Sequence, residues 1–400
     1  MAFFRNDTVN LLNLHYGIHA LALAGGGAFF LAFLLKAGVP APAVLAALAL
    51  ILAGRFAIRP LLLVPARRFG LKPLVIAGTV LSGLQYPLLP QVHGVGWPLL
   101  ALVAVASVGD TVYWTSYHAY FAALGDPEHR GHQIGAREAI AAVVGIVAPL
   151  ATGWALVWLG PRIAFDATAV ILLVAALPLL GTPNVQVAAA APGAFRSALP
   201  GVLMFAADGW VAAGYAFAWQ IALFLSLGES FTAYGGAMAL AAVAGAASGL
   251  LLGRLIDLGH GTRAVWLACA SLALVVGLRA AAYGNPLLAL AANALGALVP
   301  ALYIPTLMTA VYNLAKGSAC VLRFHIATEG GWDAGGASAC LLAAALLWAG
   351  APLSLAILLA LLGPAASFRL LRRYYGGIDL EASAAGGGGQ SAHKAPPAPA

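Results

Sequence analysis

The sequence predicts an all-α membrane protein with twelve transmembrane helices. Hydrophobic residues make up 62% of its 400 positions, charged residues make up only 8%, and the mean hydropathy is +0.93. A soluble domain has roughly a quarter of its residues charged, so most of this surface is expected to face lipid. The basic residues lie at the ends of long apolar segments rather than in one patch, which argues against nucleic-acid binding.

The apolar segments have the length of spanning helices. A membrane helix needs about 20 mostly apolar residues, and its backbone groups must bond within the helix because lipid offers no partners. We predict helices at 9–36, 42–66, 72–92, 97–124, 132–159, 161–181, 197–227, 231–256, 262–283, 286–315, 321–349 and 352–375. The first segment is too long for a signal peptide, so it is expected to be a permanent span.

The twelve segments divide into two sets of six. A polar, proline-containing stretch lies between them, so we predict an N-terminal six-helix bundle at 1–182, a central cytoplasmic linker at 183–196 and a C-terminal six-helix bundle at 197–375. Residues 376–400 are rich in Gly, Ala and Pro, which predicts a disordered tail.

The distribution of Lys and Arg predicts the orientation. With an even number of spans, both termini lie on one side together with Arg5, Arg67, Arg68, Lys72, Arg130, Arg196, Arg263, Lys316, Arg369, Arg372 and Arg373. The other side holds only Lys36, Arg162 and Arg279. Because basic residues favour the cytoplasmic side, both termini are predicted to be cytoplasmic, in the inner membrane of a bacterium.

The two halves of the chain carry similar short patterns. Helices two and eight each contain a Gly-Arg pair, at 54–55 and at 253–254. Glu138 and Glu329 lie about two turns into helices five and eleven. Two parallel six-helix repeats, with a substrate site between them, are typical of secondary transporters.

With these features the chain resembles the major facilitator superfamily over residues 9–375. In that family the loop between helices two and three, and its counterpart in the second half, carry Gly, Asp and basic residues that act as a cytoplasmic latch. The matching residues are Arg68, Gly70 and Lys72 in the first half, and Gly253 and Asp257 in the second. The family's first-half Asp is Arg67 here, so the resemblance implies that Asp257 provides the latch.

Helix five resembles the antiporter motif of the same family. The matching residues are Gly145, Pro149 and Gly153, while two of the motif's glycines are replaced at 148 and 152. The resemblance implies export. The drug antiporters of the family also carry an Arg in helix four, where this chain has Asp110 instead, so proton-coupled uptake stays open as an alternative.

Ionisable residues inside the predicted spans are functional candidates, because placing a charge in lipid costs on the order of 3 kcal/mol or more. The candidates for proton coupling or substrate binding are Asp110, Asp208, Glu138, Glu329, Asp333, His15, His19 and His118. Burial makes a carboxyl group easier to protonate, and histidine titrates near neutral pH without help. Alternatively, some of these residues only pair with neighbours, as Glu138 would with Arg137 or Arg323.

Helices four and seven are rich in aromatic residues. Small-molecule sites favour aromatic walls with a few polar groups, so we expect a cavity wall formed by Tyr113, Trp114, Tyr117, Trp210 and Trp219. Ordinary packing against lipid or other helices is the alternative for some of them.

Together these observations predict a monomeric secondary transporter that works by alternating access. Its partners are a small organic solute, protons and the lipid bilayer; no cofactor is expected, and no phosphate-binding loop for ATP is present in the sequence. His15 and His19 share a helix face and so leave open a metal transporter or a membrane-embedded metal-dependent enzyme. A receptor or assembly factor on the same scaffold is a third class.

Overall fold

The computed structural model describes residues 6–124, 130–188, 190–256 and 261–387. At 122, 130–141, 249–256, 261 and 378–387 this description is limited to the backbone. The structure therefore describes only the backbone of Glu138 and Gly253, two of the predicted functional residues. A third, Asp257, lies outside the described residues.

Twelve long helices follow one another in the described chain, close to the predicted boundaries. They are α1 Asp7–Lys36, α2 Ala41–Phe69, α3 Leu71–Gln91, α4 Trp97–Leu124, α5 Arg130–Trp158, α6 Pro161–Leu180, α7 Leu199–Ser226, α8 Phe231–Ile256, α9 Gly261–Ala282, α10 Pro286–Lys316, α11 Val321–Trp348 and α12 Leu353–Gly377. Within the described residues, eleven are long and apolar enough to span a membrane, and α5 contributes the shorter apolar stretch Ala142–Trp158. The predicted all-α membrane architecture is confirmed.

The segments outside the spans differ partly from expectation. Between α6 and α7 the described chain is irregular except for a short helix, Ala194–Ser197. The last helical segment, Leu362–Gly387, continues past the end of α12, so residues 376–387 are helical where the sequence predicted a disordered tail. Residues 388–400 lie outside the described part of the chain.

Several spanning helices contain irregular turns, including short 3-10 turns at Arg59–Leu62 in α2 and Leu359–Leu361 in α12. A π-helical turn occupies Leu23–Gly27 in α1, and another occupies Ala213–Ala218 in α7. In α10 the helix stops at Gly296 and restarts at Pro300, whose nitrogen carries no hydrogen to donate. Such interruptions free backbone carbonyl groups that need other partners in a membrane.

Arg279 lies at two of these interruptions and donates a hydrogen bond at one of them. Its Nη1 donates to the carbonyl oxygen of Tyr215 in the π-helical turn of α7, at 2.5 Å. Its guanidinium also packs against Gly296, where the first part of α10 ends. The sequence placed Arg279 at a membrane surface, but the structure buries it, because a helical side chain leans toward the N-terminus of its helix and here that direction is inward.

Small residues let helices within the second half approach closely. Gly331 and Gly335 of α11 lie against the carbonyl oxygens of Val202 and Ala206 in α7. Lipid does not drive helices together, so close packing of small residues must supply the association. The consequence is a fixed pairing of α7 with α11.

The motif-like residues of α5 lie where the first half of the chain meets the second. A Cβ atom on Gly153 would stand 2.7 Å from the carbonyl oxygen of Phe231, and one on Gly235 would stand 2.5 Å from that of Pro149. Gly145 faces α8 as well. The α5–α8 contact is therefore one of two long contacts between the halves; α2 with α11 is the other.

The two ends of the helix bundle differ in charge. We call the end that carries Arg67, Lys72, Arg196, Lys316 and Arg369 the basic end. There Lys72 Nζ donates to the carbonyl oxygens of Leu180 and Thr182, at 2.7 and 2.8 Å, which ties the α2–α3 loop to the end of α6.

At the opposite end the halves also touch. The Phe29 ring of α1 lies edge-on to Tyr234 of α8, with ring centroids 5.4 Å apart, and the Tyr234 hydroxyl donates to the Ala28 carbonyl oxygen at 3.2 Å. An exposed ion pair joins Lys36 Nζ to Glu229 Oε2 at 3.4 Å.

The α7–α11 contact predicts the effect of adding one methyl group. Gly335→Ala places a Cβ atom against the backbone of Ala206, which cannot rotate away, and we expect a loss of about 1–3 kcal/mol of stability. Gly277→Ala in α9 is the matched control, because nothing lies within 4 Å of its Cβ position. Thermal unfolding of the two purified variants in detergent measures the difference, and equal melting temperatures would contradict the close contact.

Candidate functional site

Two arginines of α2 point across the boundary between the halves. Arg55 and Arg59 lie one helical turn apart near the middle of the span, so their side chains share the face that packs on α11. The Arg59 side chain is 1% exposed and that of Arg55 is 14% exposed. A guanidinium stays charged even when buried, so each needs negative partners here.

Two acids of α11 provide those partners. Glu329 and Asp333 are also one turn apart, which matches the arginine spacing on the facing helix. Arg59 donates through Nη1 to Glu329, and through Nε and Nη2 to Asp333 Oδ2, at 3.0 and 2.5 Å. Arg55 Nε lies 3.0 Å from Asp333 Oδ1. Asp333 thus contacts both arginines, and Arg59 contacts both acids.

Helix α4 completes this group from the side. Thr115 Oγ1 accepts a hydrogen bond from Arg59 Nη1 at 2.5 Å, and His118 Nδ1 lies 2.7 Å from Glu329 Oε1. Asp110 Oδ2 stands 4.0 Å from Arg55 Nη1, too far for a hydrogen bond but close enough for attraction. We call this set the inter-half cluster: Arg55, Arg59, Asp110, Thr115, His118, Glu329 and Asp333.

The inter-half cluster is unequal in charge. Three carboxylates face two guanidinium groups, so one negative charge is in excess when His118 is neutral. In a medium of low dielectric an excess charge is costly. One proton, on His118 or on a carboxylate, would balance the cluster.

Sequence reasoning found the acids and His118 but missed Arg55 and Arg59 as site residues. Only acids and histidines were weighed inside the spans, although both arginines lie well inside helix two. The available signal was the equal four-residue spacing of the Arg pair and of Glu329 with Asp333, because facing helices pair residues of equal spacing.

His15 and His19 belong to a separate aromatic stack in the first half. His15 Nδ1 lies 2.7 Å from the Ala175 carbonyl oxygen, and its Nε2 lies 3.0 Å from the Tyr113 hydroxyl. The His19 ring lies flat on Tyr113, with centroids 4.0 Å apart. Both His15 nitrogens are thus engaged, and within the described residues no three His, Cys, Asp or Glu side chains are grouped to hold a metal ion.

The predicted cavity aromatics fall into two groups. Trp114 and Tyr117 join the His15–His19 stack to His118, with ring centroids 5.5 and 6.1 Å from the His118 ring. Trp210 and Trp219 instead pack within the second half, where their ring nitrogens donate to the Leu359 carbonyl oxygen and to Asn293 Oδ1.

Asp208 lies apart from the inter-half cluster but is linked to it. Its Oδ2 accepts a hydrogen bond from Trp332 Nε1 at 3.0 Å. The guanidinium of Arg55 lies over the same Trp332 ring, 5.5 Å from its centroid. Trp332 therefore connects a carboxylate of the second half with a cation of the first.

The α2–α3 loop docks on the segment that follows α6. Gly70 adopts φ = +82°, which favours glycine, and this turns the chain so that Leu71 N donates to the Val185 carbonyl oxygen at 2.9 Å. Arg68 lies over the ring of Phe69. With no Asp at position 67, Lys72 holds this loop by bonding the final carbonyls of α6, a favourable place for a cation.

The pairing of Arg59 with Glu329 predicts a non-additive effect of mutation. Arg59→Met or Glu329→Met alone leaves a buried partner charge and should cost about 3–5 kcal/mol. The double variant removes both charges and should be more stable than either single variant. Thermal unfolding in detergent tests this, and losses that simply add would show that the two side chains are not coupled.

Comparison with known proteins finds similar structures but no matching sequence family. Neither protein-family profiles nor curated protein sequences return a match. Among solved structures, the POT family transporter PepTSo superposes with a TM-score of 0.65 at 11% identity, covering 92% of this chain and 98% of that one. The human organic anion transporter MFSD10 (TETRAN) gives 0.63 at 15% identity, covering 91% and 99%.

A third structure agrees with these two. The nucleoside transporter NupG gives a TM-score of 0.63 at 11% identity and covers 92% of this chain and 99% of that one. All three likenesses extend over nearly the full length of both chains. The chain therefore shares its fold with these three transporters.

Proposed function

We propose that this chain is a proton-coupled secondary transporter that moves a small organic solute across the cytoplasmic membrane by alternating access. The observation that carries the proposal is the inter-half cluster, which joins the two halves of the chain by buried ion pairs. The three structural neighbours are also transporters, one of organic anions and one of nucleosides.

Alternating access requires contacts between the halves that form and break. All three Arg59 hydrogen bonds to α11 cross the boundary, and so does the Arg55–Asp333 pair. Separating α2 from α11 leaves these charges without partners unless water, a proton or solute replaces them. The cluster thus favours two states, one closed here and one open and hydrated.

Proton coupling is supported by the charge imbalance of the inter-half cluster. When it is closed, one proton balances its three carboxylates and two guanidinium groups. When it opens to water, that proton is no longer required. His118, whose side chain is 42% exposed and lies near the basic end of α4, offers a route for the proton to leave.

The direction and topology follow from the sequence patterns. The motif-like residues Gly145, Pro149 and Gly153 lie on the α5–α8 contact, where they suit sliding of one half on the other, and we favour export in exchange for protons. We further propose that both termini are cytoplasmic, that residues 1–182 and 197–375 move as units, and that a monomer suffices.

Transport in proteoliposomes tests the proposal. With an imposed pH gradient, the wild-type protein should accumulate at least one member of a panel of small organic solutes. Asp110→Asn should lose gradient-driven accumulation but retain solute exchange, because the weakly held carboxylate no longer takes part in proton balance. Glu229→Gln, an exposed acid at the opposite end, is the matched control.

Two outcomes would count against this function. If no solute moves in either direction, the chain is not a carrier under these conditions and the receptor class gains support. If Asp110→Asn accumulates solute at the wild-type rate, Asp110 has no part in coupling.

Contact between the halves at the opposite end predicts sensitivity to cross-linking. In a background without native cysteines, Lys36→Cys and Glu229→Cys should react with a thiol-cleavable bis-maleimide, because the native side chains meet at 3.4 Å. Cross-linking should stop flux, and cleavage of the linker should restore it. The single-cysteine variants serve as controls; unchanged flux in the cross-linked protein would contradict separation of the halves at this end.

A further inference from the structure

Asp208 is a carboxylate in the membrane interior whose hydrogen-bond partners, among the residues that the structure describes, are neutral. It lies near the middle of α7, where the indole nitrogen of Trp332 and the hydroxyl of Tyr303, both neutral groups, donate hydrogen bonds to it. In the part of the chain that the structure describes, no ion pair joins it to a basic side chain, whereas Asp110, Glu329 and Asp333 each have one. Such a carboxylate attracts a positive ligand or a proton.

Arg279 of α9, a basic residue that contacts α7 further along its length, is already engaged. Arg279 bonds the Tyr215 carbonyl oxygen at 2.5 Å and lies over the Tyr215 ring, 4.1 Å from its centroid. Tyr215 is seven residues beyond Asp208, which is about 10 Å along the helix. Arg279 therefore does not replace a direct partner of Asp208.

A second aromatic ring lies beside Trp332, the residue that bonds Asp208. The Trp332 indole bonds Asp208 directly, and the Phe217 ring stands perpendicular to that indole with centroids 6.4 Å apart. The faces of such rings attract cations. The Trp332 ring already contacts one cation in this way, because the Arg55 guanidinium carbon lies 5.5 Å from the ring centroid.

The net charge at the boundary between the halves favours a ligand of positive charge. Asp208 together with the inter-half cluster brings four carboxylates to two guanidinium groups, an excess of two negative charges with the histidines neutral. An anionic ligand would increase this excess, and a cationic ligand would reduce it.

We infer that Asp208, Trp332 and Phe217 form the recognition site for the ammonium group of an organic amine. This inference rests on the proposed transport function and names its substrate class. In the closed cluster Arg55 covers the Trp332 ring. When α2 separates from α11, Arg55 leaves with the first half, and the ring face and Asp208 become available to the amine together.

Binding to the purified full chain in detergent tests the inference without a membrane gradient. The probes are 4-phenylbutylamine, tetraethylammonium, 4-phenylbutyrate and 4-phenylbutanol, measured by calorimetry at neutral pH. We expect the two cations to bind and the acid and alcohol to bind at least tenfold more weakly. Asp208→Asn should weaken cation binding at least tenfold, and Asp208→Glu should restore part of it.

The matched control is Glu229→Gln, which removes a carboxylate at the opposite end and should bind the cations as the wild type does. Trp332→Phe keeps an aromatic face and should retain more binding than Trp332→Ala. These variants separate loss of the site from loss of folding, because each is compared with its own melting temperature.

Three results would overturn the inference: stronger binding of 4-phenylbutyrate than of the amines, cation binding unchanged in Asp208→Asn, or no binding of either cation. The transport proposal fails separately. If the protein carries anions in proteoliposomes, the transport proposal stands and the amine site is wrong. If amines bind but no solute is transported, the amine site stands and the transport proposal is wrong.

Discussion

Burying charge in a medium of low dielectric is the constraint on which the arrangement of this protein depends. Arg59 is almost completely buried, and each of its bonds to a carboxylate reaches a helix from the other half of the chain. The buried Arg59 of the first half has its acidic partners, Glu329 and Asp333, in the second half. The halves are therefore joined by a requirement for charge balance, which acts only when they are in contact and dry.

Close packing positions the groups that meet this requirement. Because Gly331 and Gly335 hold α11 tightly on α7, the Trp332 side chain between them reaches Asp208 on one side and Arg55 on the other. Aromatic and charged groups of both halves thus meet at one level of the membrane. Bulkier residues at the glycine positions would separate α7 from α11 and break this link.

The fold could be predicted almost entirely from sequence, because apolar segments of about 20 residues have few alternatives in lipid. The site could be predicted only in part. Depth along a helix identified Asp208, Glu329 and Asp333, but pairing across helices depends on rotation and register, which one sequence does not specify. Arg55 and Arg59 were overlooked for that reason, and Trp210 and Trp219 could not be told apart from cavity-lining rings.

Arg279 shows a different way to keep a charge in the membrane. No acid pairs with it in the described chain; it bonds the Tyr215 carbonyl oxygen where α7 widens into a π-helical turn, and it packs against Gly296 where the first part of α10 stops. The partial negative charge at the end of a helical segment stabilises a cation. The arginine and the two irregular helices consequently depend on one another. A chain in which α7 and α10 became regular would have no place for this guanidinium, and a chain without it would leave the Tyr215 carbonyl group without this donor, so these features are expected to be gained or lost together.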